Sequence, residues 1–212
     1  MTFSPALAAA LFVPATVGLL YQTVQPNPWP YRLLALSLML MSLEQAHMAR
    51  VDLRNVDGVG LRSPDARLNH FRRVVMLTIA GQVAGFSVAA LGHLGWGLGL
   101  ILVSVLGFNL AATIRLEPAS RQPIQAAGWR SRLEVLILDA IALALAVLWI
   151  AQRAQGWVAG GLFAITLVYG GSKLLAYATA ALGPGATPNT TSSAVHVAHT
   201  AQEHPQPPQQ NQ

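Results

Sequence analysis

Long apolar runs separated by short polar interruptions dominate the chain, and this pattern predicts helices sized for a lipid bilayer. Crossing ~30 Å of hydrocarbon takes ~20 mainly apolar residues at 1.5 Å each. The runs that approach this length are Pro5 to Gln22, Tyr31 to Ala49, Val74 to Gly92, Gly95 to Ile114, Leu133 to Ala151 and Trp157 to Ala181. Val74 to Ile114 contains no Asp, Glu, Lys or Arg. It is roughly twice as long as the hydrocarbon is thick, so it must fold back, and Gly92-His93-Leu94-Gly95 is the place for the turn. The first run is the weakest, being short and interrupted by Pro14, although membrane helices tolerate proline better than soluble ones. A five-span arrangement without it is the alternative. No Lys or Arg precedes this run and no small-residue cleavage site follows it, so it reads as a retained span and not as a secretory signal.

The basic residues give the spans a direction, because short cytoplasmic loops are enriched in Lys and Arg. Arg50, Arg54, Arg62, Arg67, Arg72 and Arg73 follow the second run, and Arg115, Arg121, Arg130 and Arg132 follow the fourth. The alternate turns carry only Arg32 and Arg153, and they collect Tyr21, Trp29, Tyr31, Trp96, Trp149 and Trp157 as an interfacial aromatic belt. The expected architecture is therefore all-α: a polytopic membrane helical bundle of six transmembrane helices arranged as three hairpins, both termini cytoplasmic. Arg72-Arg73 beside Arg130 to Arg132, and Gly95-Trp96 beside Gly156-Trp157, hint at an internal repeat of the second and third hairpins. Residues 183–212, rich in Pro, Gln, Thr, Ser and His, read as a disordered polar tail.

Composition supports the bilayer as solvent. Of 212 residues 53% are hydrophobic and 10% charged, against ~25% charged in an ordinary soluble domain. The net charge of +5 does not point to nucleic acid, because the basic residues lie between apolar runs and form no single basic-aromatic face. The absence of cysteine removes disulfides, thiolate nucleophiles and Cys-ligated metal centres.

Counting inward from the last charged residue of each run places one strongly polar group per helix at a similar depth. Glu44, Gln82, Asn109 and Asp139 fall ~9 to 14 Å into the membrane and Lys173 ~15 Å. An ionisable group at such depth costs on the order of 2.5 kcal/mol or more and marks a functional-site candidate. Asp139 and Lys173, on consecutive antiparallel helices, are the candidate ion pair. The competing reading of this polar layer is packing glue, interhelical hydrogen bonds worth ~0.6 to 2 kcal/mol each.

Other motifs carry less. Glu44 and His47 share the Glu-x-x-His spacing of di-iron bundles, but no second copy exists, so a hydrogen bond near the interface is preferred to a metal site. His196, His199 and His204 read as solvated tail residues, and Asn189-Thr190-Thr191 as a glycosylation acceptor that a cytoplasmic tail never exposes to the machinery. Val51 to Gly58 alternates charge signs and reads as a salt-bridged turn or a docking surface, without the ligand positions of an EF-hand. Gly81-x-x-x-Gly85 and Gly95-x-x-x-Gly99 mark faces for close helix approach. No phosphate loop, nucleophile elbow or repeated acidic motif of a membrane prenyltransferase is present, and Ser37, Ser42, Ser87 and Ser104 have no suitably placed histidine.

Phe108-Asn109-Leu110, Ile114 to Pro118, Pro123-Ile124, Gly128, Arg132-Leu133, Val135-Leu136-Ile137 and Asp139-Ala140, about a fifth of the chain, resemble a stretch of small multi-spanning membrane proteins of cyanobacteria. The resemblance implies a plasma (inner) or thylakoid membrane location and a place beside photosynthetic or respiratory complexes, and it carries over no catalytic residues. The expectation is a non-enzymatic accessory or assembly subunit whose partners are the lipid bilayer and other membrane subunits or a second copy of itself, with no cofactor. The alternatives are a small transporter or channel-like protein with a pathway lined by Glu44, Asn109, Asp139 and Lys173, and a membrane enzyme acting on a lipid or isoprenoid through Glu44 and Asp139 as acid-base groups.

Overall fold

The computed structural model describes residues 4–62, 65–117 and 123–182; of Tyr169 and of residues 172–182 it describes the backbone alone. The tail from residue 183 onward, with its histidines, and Arg121 lie outside the described residues. The chain divides into two units, Met1–Tyr169 and Gly170–Gln212. The first holds α1 (Pro5–Ala10), α2 (Val13–Val24), α3 (Trp29–Arg62), α4 (Ala66–Ala90), α5 (Leu94–Ala111), a hairpin of β1 (Ile114–Leu116) and β2 (Ile124–Ala126), a 3-10 turn (Trp129–Arg132), α6 (Leu133–Ile150) and the start of α7 (Gln155–Leu182). The described part of the second unit is the remainder of α7.

Among the described residues, four stretches are helical, long and apolar enough to cross a membrane: Pro5–Val24, Ala66–Ala90, Leu94–Ala111 and Trp129–Ile150. Pro14 restarts the first of these more than it interrupts it. The chain turns at Leu11 and Phe12, and the proline then occupies the opening turn of α2, where its missing N–H is no loss. The turn expected at Gly92 to Gly95 is present, with α4 ending at Ala90, α5 starting at Leu94 and Gly92 at φ +96°, a left-handed conformation that favours glycine.

Two segments expected as cytoplasmic loops are ordered instead. The helix containing the second apolar run does not end near Ala49. It runs for 34 residues from Trp29 to Arg62, ~50 Å, well beyond the ~30 Å that hydrocarbon requires. The charged stretch Val51 to Gly58 is thus helix and not a turn. The cause is a buried stripe that runs unbroken through it: Ala35, Ser42, Ala49 and Val56 recur every seven residues, with Leu38, Leu53 and Val59 beside them. Leu68, Phe71 and Val75 of α4 are buried in the same core, and the Arg72 guanidinium meets the Asp57 carboxylate at 3.3 Å across the pair. Arg50, Arg54, Arg62 and Arg73 are exposed.

The chain is mostly helical, as expected, and the second correction concerns the segment after α5, which forms a short β hairpin. Ile114, Arg115 and Leu116 pair antiparallel with Ala126, Gln125 and Ile124, closed by Glu117 N–H donating to the Pro123 carbonyl at 2.9 Å. The strand is held because Ile114 is buried, 1% exposed, and β1 packs against α3 and α4. α5 accordingly stops at Ala111, short of the expected Ile114.

Small residues set the closest helix contacts. A Cβ on Gly97 would lie 2.5 Å from the Gly85 carbonyl oxygen and 2.6 Å from the Ala89 nitrogen, so α4 and α5 touch backbone to backbone. A Cβ on Gly18 would lie 2.7 Å from the Ala90 Cβ, seating α2 against α4, and Phe12 meets Phe86 edge to face at 5.9 Å. At Gly95 the neighbour is Trp149, which places the end of α6 beside the start of α5.

Candidate functional site

The polar residues expected inside the membrane are positioned by these packing contacts, and they are joined differently from the single layer that counting suggests. On α4, Gln82 is 4% exposed and its Nε2 donates to the Gln45 Oε1 at 3.0 Å. Gln45 and not Glu44 is therefore the partner that α3 offers. On α5, Asn109 is 7% exposed, and its Nδ2 donates to the Asp139 Oδ2 of α6 at 2.8 Å. A third tie joins α2 to α3, where the Thr16 and Ser42 hydroxyls share a hydrogen bond of 2.8 Å.

Gln82 and Asn109 are not level. Gly81 of α4 faces Ser104 of α5, while Phe71 meets Phe108 edge to face at 6.0 Å. Asn109 adjoins Phe108 and Gln82 adjoins Gly81, so the two amides stand roughly 10 Å apart along the helix axes. The discrepancy has a physical cause. Arg115, taken as the depth marker for Asn109, lies on β1, so it does not mark the end of the helix. The polar groups form an inner tier at Gln45 and Gln82, and an outer tier at Asn109 and Asp139 beside the β hairpin.

Asp139 is half-buried, and one carboxylate oxygen is held by Asn109. The pairing expected with Lys173 falls outside the described side chains. Glu44 is half-buried and His47 exposed on α3; among the described residues no group of three or more His, Asp or Glu could hold a metal ion. The serines weighed as nucleophiles are engaged locally. Ser37, Ser87 and Ser104 each donate to the carbonyl four residues back, Leu33, Val83 and Leu100, at 2.8 to 2.9 Å. Such back-bonding satisfies a hydroxyl inside an apolar helix and leaves it poorly placed to attack a substrate.

The sequence offers Arg132 as a marker of orientation and depth, and not as part of a site. Arg132 closes the 3-10 turn and precedes the first residue of α6, its guanidinium lies 5.3 Å over the Phe108 ring, and its Nη2 donates to the Ile114 carbonyl at 3.3 Å. Phe108 thus stands between Phe71 of α4 and Arg132, and the hairpin, α4, α5 and α6 converge on one cluster at this end of the bundle. The sequence signal for it is the short spacing of Phe108, Ile114 and Arg132 around a Pro-flanked hairpin, which no helical count reveals.

The arrangement can tie helices together, hold a carboxylate at the flank of α6 and present guanidinium groups at the hairpin end. Comparison of the chain with protein families, with curated proteins and with solved structures finds no match to any of them.

Proposed function

We propose that the chain is an integral membrane protein of six spans with both ends cytoplasmic, acting in a plasma (inner) or thylakoid membrane as a non-enzymatic accessory or assembly subunit. Its partner helices would pack on α6. The observation that carries this reading is Asp139 on the least enclosed of the four membrane-capable stretches among the described residues. Only 11% of the apolar stretch Trp129–Ile150 is buried within the chain, against 39% for each of α4 and α5. A carboxylate costs ~2.5 to 3.5 kcal/mol at the centre of a bilayer and less toward its edge, and a donor on a neighbouring protein helix would add to the Asn109 bond in offsetting it. The amides of both tiers support the same reading, because Gln82 and Asn109 are enclosed and bonded in the manner of packing glue. The basic residues beside the hairpin and on the far half of α3 support the cytoplasmic placement.

Purification in a mild detergent followed by native mass measurement tests the proposal. The expected result is an assembly heavier than the chain, reduced to the lone chain by Asp139→Leu; a wild-type chain that runs alone as a monomer overturns it. Reporter fusions at Gly92 and after residue 182 test the topology, with the first expected outside and the second inside. One observation favours a second reading, a transport pathway: the half-buried Asp139 carboxylate can be reached from the flank of the bundle. Under that reading flux is lost in Asp139→Asn while assembly mass is unchanged.

A further inference from the structure

Arg115 and Arg132 meet around Ile114 at the hairpin end of the bundle, and among the described residues no ion pair includes either. Arg132 has its guanidinium face on Phe108 and its Nη2 on the Ile114 carbonyl, while its Nη1 is shielded from solvent and has no hydrogen-bond partner among the described residues. Arg115, on β1 next to Ile114, is near enough for its positive charge to act on Arg132. The ion pairs among the described residues are Arg67–Asp65 and Arg72–Asp57, and neither arginine here takes part in one. Of the acids in the neighbouring sequence, Glu117 accepts from Gln125 Nε2 at 2.6 Å, and Glu134 is exposed on the first turn of α6. Arg130 of the same 3-10 turn lies 5.6 Å over Trp129, whose ring is 53% exposed.

Like charges held together are unfavourable unless an anion bridges them, and guanidinium N–H groups match the oxygens of a phosphate. No side chain caps the start of α6 at Arg132, so main-chain N–H groups add to the positive potential there. The location narrows the anion. Phe108 and Asn109 end the apolar α5 and Leu133 begins the apolar α6, so the pair stands where hydrocarbon gives way to headgroups. An exposed tryptophan beside it is the ring type that settles at that boundary. We propose that Arg115 and Arg132, flanked by Arg130 and Trp129, bind the phosphate of an anionic phospholipid in the cytoplasmic leaflet. The inference rests on the membrane placement proposed above and not on the partner reading. Reporter fusions that inverted the topology would change the leaflet and leave the binding result untouched.

The test is thermal unfolding of the detergent-purified full chain with phosphatidylglycerol, phosphatidylcholine or inorganic phosphate added. Phosphatidylglycerol is expected to raise the midpoint. Arg115→Gln and Arg132→Gln should each weaken its apparent affinity about fivefold, as expected for one interfacial arginine. Arg54→Gln, which removes an exposed charge from α3, should leave it unchanged. An equal response to phosphatidylcholine overturns the proposal, as does an equal loss in Arg54→Gln, which would mean diffuse attraction. Stabilisation by inorganic phosphate that matches the lipid overturns the lipid assignment in favour of a free phosphate site. Should Arg132→Gln fail to fold through its lost packing on Phe108, Arg115→Gln decides: unchanged phosphatidylglycerol affinity there overturns the proposal.

Discussion

At the scale of single residues, the fold depends on positions where a side chain has no room. Gly97→Ala puts a Cβ 2.5 Å from the Gly85 carbonyl oxygen and 2.6 Å from the Ala89 nitrogen, whereas Gly99→Ala meets nothing within 4 Å. The first is expected to destabilise by about 1 to 3 kcal/mol, and the second to leave the thermal midpoint unchanged or raise it, as read by unfolding in detergent. The outer polar tier is tested by a double-mutant cycle on Asn109→Leu and Asp139→Leu, for which a coupling of about 0.6 to 2 kcal/mol is expected. A coupling near zero would mean that the 2.8 Å bond adds nothing to the packing. The sequence made these polar residues conspicuous because each is alone in an apolar run. It did not reveal their partners, since Gln45 sits beside the more conspicuous Glu44 and only the facing of α3 and α4 selects between them.

At the scale of elements, the helix hairpin formed by the far half of α3 and the start of α4 is the part least visible in the sequence. Its charges suggest a solvated loop, but Leu53, Val56, Val59, Leu68 and Phe71 supply a buried stripe at helical spacing, and the stripe outweighs the charges because these face outward. Gly58 is exposed there, with nothing within 4 Å of an added Cβ. Gly58→Ala should stabilise the projection by about 0.5 to 1 kcal/mol, seen as slower amide exchange over residues 51–62. α4 begins at Asp65, whose side chain accepts from the Arg67 backbone N–H at 2.8 Å and is paired with its guanidinium. The side-chain bond from Arg67, and then the backbone bond, hold the Asp65 carboxyl below the ordinary aspartate value. A folded-state value that is depressed adds stability above the ordinary value and loses it as pH falls through the folded one. Amide protection at Arg67 and Leu68 should therefore fall below about pH 4, and Asp65→Asn should flatten that dependence. The β hairpin escaped notice for another reason: strands of three residues leave no periodicity to count, and the burial of Ile114 comes from α3 and α4 rather than from its own neighbours.

At the scale of the whole molecule, apolar run length made the membrane-capable helices and the turn at Gly92 legible, because the thickness of hydrocarbon sets a length that composition alone can meet. Helix ends were less legible, since a charged residue marks where lipid ends and not where hydrogen bonding along the backbone ends. The backbone contact between α4 and α5 also bears on the order of assembly. It joins neighbours in the chain across a turn of a few residues, so it closes a short loop, the kind of contact that forms early. α2 and α3 have already been synthesised by then, and Gly18 offers Ala90 a seat at once. α6 arrives last among these helices and packs on α5. A pause in synthesis after the β hairpin would thus leave the packing of α1 to α5 nearly complete, and the guanidinium cluster beneath Phe108 would be finished only when the next few residues appear.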